Sequence, residues 1–310
     1  MRINKPNFWD RKIGFFSILL FPLSLIISFL VFLKKKSSKV SSFKIPIICV
    51  GNIYIGGTGK TPTSIYIANE LNKMGKNAVI LRKHYEDQVD EHNLIRSYLG
   101  NLILSKNRVD GLREIEKSNF DTVIMDDGLQ DYKIKKNISI ACFNSNQLIG
   151  NGLVIPSGPL RESLNSLKDI NIVIINGNKN EIFEEKILKI NSSLKIFYSS
   201  YEPTNLSDFT NQKLLAIAGI GNPENFFSLI EQNNLNIRKK IIYPDHYKFS
   251  KEEFQNIIRE AEEKNYKIIM TEKDFYKIKE YNFDKVNFLK VELKITDREN
   301  FNNILKDLYD

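Results

Sequence analysis

Lys60 and Thr61 are the residues of this chain whose types and spacing point most directly to chemistry. They follow Gly56, Gly57, Thr58 and Gly59 in residues 46–62, PIICVGNIYIGGTGKTP. Successive glycines let backbone N–H groups turn toward one anion, and a following helix adds the positive end of its dipole. A lysine there reaches terminal phosphates and a threonine hydroxyl holds Mg²⁺. The strict spacing G-x-x-x-x-G-K-[ST] would place glycine where Tyr54 stands, and Gly51, Gly56 and Gly57 are additional, so the stretch reads as a variant P-loop. The second signal is DTVIMDDGLQ, an apolar run that ends in Asp126 and Asp127. In a nucleotide site a carboxylate at such a strand end holds Mg²⁺, directly or through water. Asp and Gly also form ordinary turns, so this run takes its meaning from Lys60 and Thr61.

A phosphate loop needs a strand entering it and a helix leaving it. Residues 47–50 and 63–74 have those patterns, and Pro62 suits a first helical turn, where no N–H is required. Further short apolar runs read as strands at 78–81, 102–104, 122–125, 138–143, 170–175 and 194–198, then at 214–218, 240–243, 268–271 and 286–291. Helical periodicity falls at 109–117, 223–232, 251–264 and 299–308. The alternation predicts an α/β protein: a P-loop NTPase-like, mostly parallel sheet with helices on both faces, a smaller second α/β domain, and an N-terminal hydrophobic helix. A length of 310 residues favours two globular units, and the polar stretch 202–211 marks a division. The expected domains are 1–40, an anchor and basic linker; 41–204, the P-loop core; and 205–310, a C-terminal α/β domain.

A net charge of +8 suits anionic partners: a nucleotide, a phospholipid surface or a nucleic acid. No RNA-binding signature or aromatic-rich basic stripe is present, so nucleic acid is not expected, and no segment calls for an obligate protein partner. Cys49 and Cys142 sit in separate apolar runs without C-x-x-C spacing and read as buried free thiols. Residues 13–33 carry no charge and are bracketed by Arg11, Lys12 and Lys34, Lys35 and Lys36. That run is long enough to span a bilayer, and it ends in basic residues where a signal peptide would end in small ones. It reads as a retained membrane anchor. Pro22 would kink a helix near its middle, so an interfacial or re-entrant course stays open beside a span. Basic residues on both sides leave orientation to the nucleotide site, which requires the cytoplasmic side.

Several motifs occur in a fixed order: residues 56–62; Val89, Asp90, Glu91 and His92; residues 126–130, DDGLQ; Gly150 and Asn151 followed by 156–162, PSGPLRE; Tyr243, Pro244, Asp245, His246 and Tyr247; and Thr271, Glu272, Lys273 and Asp274. Together with the N-terminal anchor they cover most of the chain, which thereby resembles the lipid A 4'-kinase family, the tetraacyldisaccharide 4'-kinases. The resemblance implies a membrane-associated enzyme. It would move the γ-phosphoryl of ATP to the 4'-hydroxyl of a tetraacylated glucosamine disaccharide 1-phosphate, at the cytoplasmic face of the bacterial inner membrane and against its lipid surface.

The resemblance also implies roles. Asp90 would be the base, oriented by His246 from the second domain, so that the pair forms across a cleft. Gly56, Gly57, Thr58, Gly59, Lys60, Thr61 and Arg161 would hold phosphates, with Lys60 also catalytic, while Thr61, Asp126, Asp127 and Glu162 would hold Mg²⁺. From the residues alone, Asp90 in HYEDQVDEHN reads as a solvated acid or a helix N-cap, His246 as the close of a turn, and Arg161 with Glu162 as a surface ion pair. The chain departs from the family pattern at Arg82, Lys83, His84 and Tyr85, where Arg-Gly-Tyr-Gly is usual, and in a shorter gap to Asp90. It also departs at Val89 for glycine, His92 for proline, Asp131 for histidine and Tyr247 for a second histidine. Two alternative classes are a membrane-tethered P-loop ATPase switch acting on a protein partner, which would need no acceptor base, and a non-enzymatic nucleotide-binding scaffold.

Overall fold

The computed structural model describes residues 5–85, 88–245 and 247–309; His246 lies outside them. In chain order the elements are α1 (Phe15–Ser37), β1 (Ile47–Gly51), α2 (Lys60–Lys73), β2 (Ala78–Lys83), α3 (Val89–Tyr98), β3 (Leu102–Ser105), α4 (Arg108–Ile115), β4 (Thr122–Asp126), β5 (Ile138–Asn144), β6 (Ile172–Asn176), α5 (Glu181–Leu188) and β7 (Lys195–Pro203). They continue with β8 (Lys213–Ala218), α6 (Pro223–Gln232), β9 (Asn236–Ile242), α7 (Lys251–Glu263), β10 (Lys267–Thr271), α8 (Glu272–Ile278), β11 (Val286–Leu289), β12 (Val291–Ile295) and α9 (Arg298–Lys306).

The chain divides into two compact units. The first comprises Met1–His84, Asn101–Ser200 and Lys294–Asp310, and the second Tyr85–Gly100 and Tyr201–Leu293. These units differ from the expected domains: residues 1–40 fall in the same unit as most of 41–204, residues 85–100 leave that stretch for the second unit, and residues 294–310 leave 205–310 for the first. Helix α3 goes to the second unit because it packs on α8, where the Tyr98 hydroxyl donates to Glu272 at 2.7 Å. Helix α9 goes to the first because Phe301 packs on Tyr66 and Phe197, and Arg298 pairs with Glu70. Both links join residues far apart in sequence, which a break in composition cannot reveal.

The first unit carries an eight-stranded sheet in the order β12-β7-β6-β5-β1-β4-β2-β3. The pairs from β7 through to β3 are parallel. Strands β1, β4, β5 and β6 are buried along their whole length, which is why they read as unbroken apolar runs rather than alternating ones. Register fixes the ends: Val50 and Arg82 both lie opposite Asp126, and Gly51 opposite Ala141. The C-terminal edge of such a sheet is where ligands bind.

In the second unit the sheet order is β11-β10-β8-β9, all pairs parallel. Alternate residues of β8 enter different cores: Leu214, Ala216 and Ala218 pack with Phe226, Phe227 and Ile230 of α6, whereas Leu215 and Ile217 pack with Phe254, Ile257 and Ala261 of α7. Helices therefore cover both faces. Strand β9 starts earlier than its apolar tail suggests, because its exposure alternates and Arg238 and Lys240 stand on the outer rows. Residues 286–291 form two strands rather than one.

Helix α1 is assigned unbroken through Pro22 and belongs to the first unit. Its contacts run along its length. Before it, Trp9 Nε1 donates to the Pro156 carbonyl at 2.9 Å, and Tyr54 donates to Asp10 at 2.9 Å. Within it, Ser17 accepts from Asn151 at 3.1 Å, and Ser24 meets the Val154 carbonyl at 2.8 Å and the Ser157 amide at 3.0 Å. At its end Lys35 pairs with Asp169. Both serines are buried, while Phe15, Phe16, Ile18, Leu19, Leu23 and Ile26, among others, are exposed. An apolar helix held at both ends by one unit lies along that unit and presents its other face outward.

Candidate active site

Helix α2 begins at Lys60 behind Gly59, whose φ of +88° is left-handed backbone that glycine adopts without strain; Gly56, at +123°, has the same requirement. Between them Asn52 Nδ2 donates to the Gly56 carbonyl at 3.2 Å and to Thr58 Oγ1 at 2.9 Å, which holds the loop closed on itself. Tyr54, standing where a strict P-loop has glycine, is fully buried and pairs with Leu160 in an isolated bridge. The loop accommodates a large residue there because the side chain turns into the protein and the backbone is carried by the 154–160 segment, with Ile55 N donating to the Pro159 carbonyl at 2.9 Å.

Strand β4 delivers Asp126 and Asp127 to this loop, and the two carboxylates take different partners. Asp126, fully buried, accepts from Thr61 Oγ1 at 3.1 Å, from Ser64 Oγ at 3.0 Å and from Arg82 Nη1. The same Arg82 nitrogen donates to Thr61 at 3.2 Å. Asp127 adopts a φ of +54°, a conformation in which Asp is enriched among non-glycine residues, and pairs with Lys60 at 3.8 Å and Arg161 at 2.9 Å. Arg108 fixes the turn by donating to the carbonyls of Asp126 and Asp127 at 3.0 and 2.8 Å. Burial lowers the Lys60 ammonium from its ordinary value, with Arg161 and Arg82 acting in the same direction and Asp127 against it. Burial would raise the Asp127 carboxyl, but Lys60, Arg161, Arg82 and Arg108 outweigh it and hold the group below its usual range.

Arg161 and Glu162 are not a surface pair. Arg161 also reaches Gln130 Oε1 at 3.4 Å, and Gln130 Nε2 donates to Glu162 at 2.9 Å and to the Asn52 carbonyl at 3.0 Å. Gln130 thus ties the 161–162 segment to the phosphate loop. Among the described residues no three His, Cys, Asp or Glu side chains converge as metal ligands. The hard oxygens of Thr61 and Asp126 do converge, and the Arg82 guanidinium lying on both shows that the position is built for positive charge. That donor set suits Mg²⁺, which takes one or two protein ligands and completes its shell with phosphate and water.

In the second unit Asp90 sits in the first turn of α3, behind Gln88 as N-cap, and is buried. It is neither an exposed acid nor the cap itself. Asp90 belongs to the same unit as Tyr243, Pro244 and Asp245, and the expected partner His246 lies outside the described residues. Cys49 and Cys142 are buried free thiols that burial pushes up to about 11 and about 12, so both are neutral and unreactive at physiological pH. Sequence reasoning missed Arg82, Ser64, Gln130 and Arg108. A signal existed for Ser64, since Thr61 and Ser64 are three apart on one helix and their hydroxyls share a face.

Comparisons with known proteins agree on one family. The family model LpxK, Tetraacyldisaccharide-1-P 4'-kinase, matches residues 16–310. A tetraacyldisaccharide 4'-kinase of Pelagibacter ubique (strain HTCC1062) is 42% identical over 309 residues, covering 98% of this chain and 98% of its own. Its counterpart in Rickettsia akari (strain Hartford) is 32% identical over 314 residues, covering 96% and 95%. Among solved structures, the "apo" form of LpxK from Aquifex aeolicus in complex with ATP superposes with a TM-score of 0.74 at 20% identity, over 96% of this chain and 100% of that one, which is a likeness of fold.

Proposed function

The chain belongs to the tetraacyldisaccharide-1-P 4'-kinase family, and we propose that it moves the γ-phosphoryl of ATP to the 4'-hydroxyl of a tetraacylated glucosamine disaccharide 1-phosphate, a step of lipid A biosynthesis. The observation that carries the assignment of parts is the convergence of Lys60, Thr61, Asp126, Asp127 and Arg161 at the C-terminal ends of β1 and β4. Backbone N–H groups around Gly56, Gly57, Thr58 and Gly59 cradle the phosphates, Lys60 neutralises their terminal oxygens, and Arg161 adds a second cation. Thr61 and Asp126 would hold Mg²⁺, which when bound withdraws charge from the phosphate oxygens. Asp127 pairs with Lys60 and Arg161, and Gln130 ties Glu162 to the phosphate loop.

A sugar hydroxyl is a weak nucleophile near neutral pH, so its proton must pass to a base as the new bond forms. Asp90 takes that role; its burial keeps the side chain ordered, and its seat in the first turn of α3 places it at the positive end of the helix dipole. The acceptor is an acylated lipid, and the exposed apolar face of α1 brings the enzyme to it. A helix flanked by Lys34, Lys35 and Lys36 and docked at both ends lies in the interface of the cytoplasmic leaflet rather than across the membrane. The switch alternative has no support among relatives named as kinases.

The deciding experiment is incubation of the purified chain with γ-labelled ATP and the disaccharide acceptor, followed by identification of the phosphorylated position. The expected product carries label at the 4'-position. Lys60→Ala should lower turnover by roughly 10²- to 10³-fold, the usual cost of removing one electrostatic contact to a transferring group. Hydrolysis of ATP at an undiminished rate without any labelled lipid would refute the reading.

A further inference from the structure

Lys273 lies in the run Thr271, Glu272, Lys273 and Asp274, and the functions assigned above leave that run unused. Its neighbours serve the fold. Thr271 caps α8 by accepting from Asp274 N at 3.1 Å, and buried Asp274 accepts from Gly219 N at 2.7 Å and pairs with Lys277 at 2.5 Å. Glu272 receives the Tyr98 hydroxyl. Lys273 does something different: its ammonium lies 2.8 Å from Glu91, 3.1 Å from Asp245 and 3.9 Å from Asp90.

We propose that Lys273 is a positioning residue for phosphoryl transfer, fixing the first turn of α3, and with it the Asp90 carboxylate, to the loop 243–247. The inference rests on the reading of Asp90 as proton acceptor. An ammonium has three donors in tetrahedral array. Two of them lie within hydrogen-bond distance of Glu91, the residue after Asp90, and of Asp245, the residue before His246. The separation from Asp90 itself is that of an ion pair and not of a hydrogen bond, so Lys273 acts on it by charge and by placement. The side chains of Lys273 and Glu91 are 17% and 16% exposed and that of Asp90 only 4%, so solvent screens these three charges little, while Asp245, at 36%, is screened more. Removing the ammonium takes away a positive charge that all three carboxylates share and so weakens the link between the two segments.

The charged and titratable groups on the elements around Asp90 are Glu91 and His92 of α3, Glu272 and Lys273 of α8, and Asp245 of the loop that also carries His246. Lys273 forms an ion pair with Asp90 at 3.9 Å. Its removal should therefore raise the pH at which the carboxylate ionises, through repulsion by Glu91 and Asp245.

The test compares Lys273→Met, Lys273→Arg and Asp90→Asn in the full chain, with MgATP and the tetraacyldisaccharide 1-phosphate. For Lys273→Met we expect kcat to fall about tenfold to a hundredfold, the scale of a misplaced general base, with KM for ATP within about twofold of wild type. The acid limb of the kcat profile should move to higher pH. Lys273→Arg, which keeps the charge and guards against a folding defect, should restore the acid limb and part of kcat. If Asp90→Asn is inactive while Lys273→Met keeps wild-type kcat and profile, the Lys273 inference is overturned and the base reading stands. An active Asp90→Asn enzyme would overturn both. A Lys273→Met enzyme whose defect lies only in KM for ATP would also overturn the inference, since a positioning role acts on the proton acceptor and not on nucleotide binding.

Discussion

At the scale of single residues, the phosphate site is organised around one buried carboxylate. Asp126 receives two hydroxyls and one guanidinium, so its charge is compensated before any ligand arrives. Removing the guanidinium leaves a buried charge with hydroxyl partners only. Arg82→Gln should therefore cost about 3 kcal/mol of stability, the usual loss when one member of a buried ion pair is deleted. Because the vacated position is bordered by Thr61 and Asp126, Mg²⁺ without nucleotide should raise the melting temperature of Arg82→Gln more than that of wild type. Equal Mg²⁺ effects on the two proteins would show that Arg82 does not occupy the cation position. Lys60, Thr61, Asp126 and Asp127 are legible in the sequence because contiguous loops and strand ends deliver them. Arg82 is not, because only the register opposite Asp126 gives it meaning, and register is a property of paired strands. The contact between Gln130 and Glu162 was likewise hidden, since a side-chain hydrogen bond between separate segments has no spacing signature.

At the scale of elements, the long β–helix alternation is legible because parallel strands buried on both faces must be apolar throughout. The segments the periodicity missed, α3, α5 and α8, are short and polar, and their ends are set by caps and packing rather than by an apolar stripe. Helix α9 shows how a terminal element is tied back: Arg298 donates to Glu70 of α2 at 2.7 and 3.1 Å, and Asn302 donates to it at 2.8 Å. Burial would raise the Glu70 carboxyl, but these bonds and one from Lys73 outweigh it and bring the group down to about 2. A carboxylate depressed in the folded state stabilises the protein above its unfolded value, near 4.5, and that contribution is lost as pH falls toward 2. The side chains of Arg298 and Lys73 are mostly exposed, so solvent screening limits the contribution to about 1–2 kcal/mol. Glu70→Gln should show that loss in urea unfolding at pH 7 and converge with wild type toward pH 3. A difference that stays constant with pH would mean that packing, not charge, holds α9.

At the scale of the whole molecule, the chain must bring a water-soluble nucleotide and a membrane-embedded lipid to one protein. The composition of residues 13–33 suits contact with lipid but does not give its geometry, because a spanning helix and an interfacial one share the same apolar length. The two buried serines support the interfacial course proposed above: Ser17 and Ser24 are seven apart, two helical turns, and bind the 151–157 segment, so one stripe of α1 is committed to protein. Leu19 and Ile26 stand on the exposed remainder, again seven apart, at 61% and 55% exposure. Each such side chain contributes about 1.5–3 kcal/mol when it leaves water. The double substitution Leu19→Lys with Ile26→Lys should therefore weaken sedimentation with phospholipid vesicles by at least roughly a hundredfold. Exposed positions tolerate polar groups, so the melting temperature and ATP affinity should remain near wild type. Anionic vesicles should recover part of the binding through Lys34, Lys35 and Lys36, at about 1 kcal/mol for each basic residue near the surface. Vesicle binding by the double variant equal to that of wild type would mean that this face of α1 does not enter the bilayer, and the route to the lipid acceptor would have to lie on another surface.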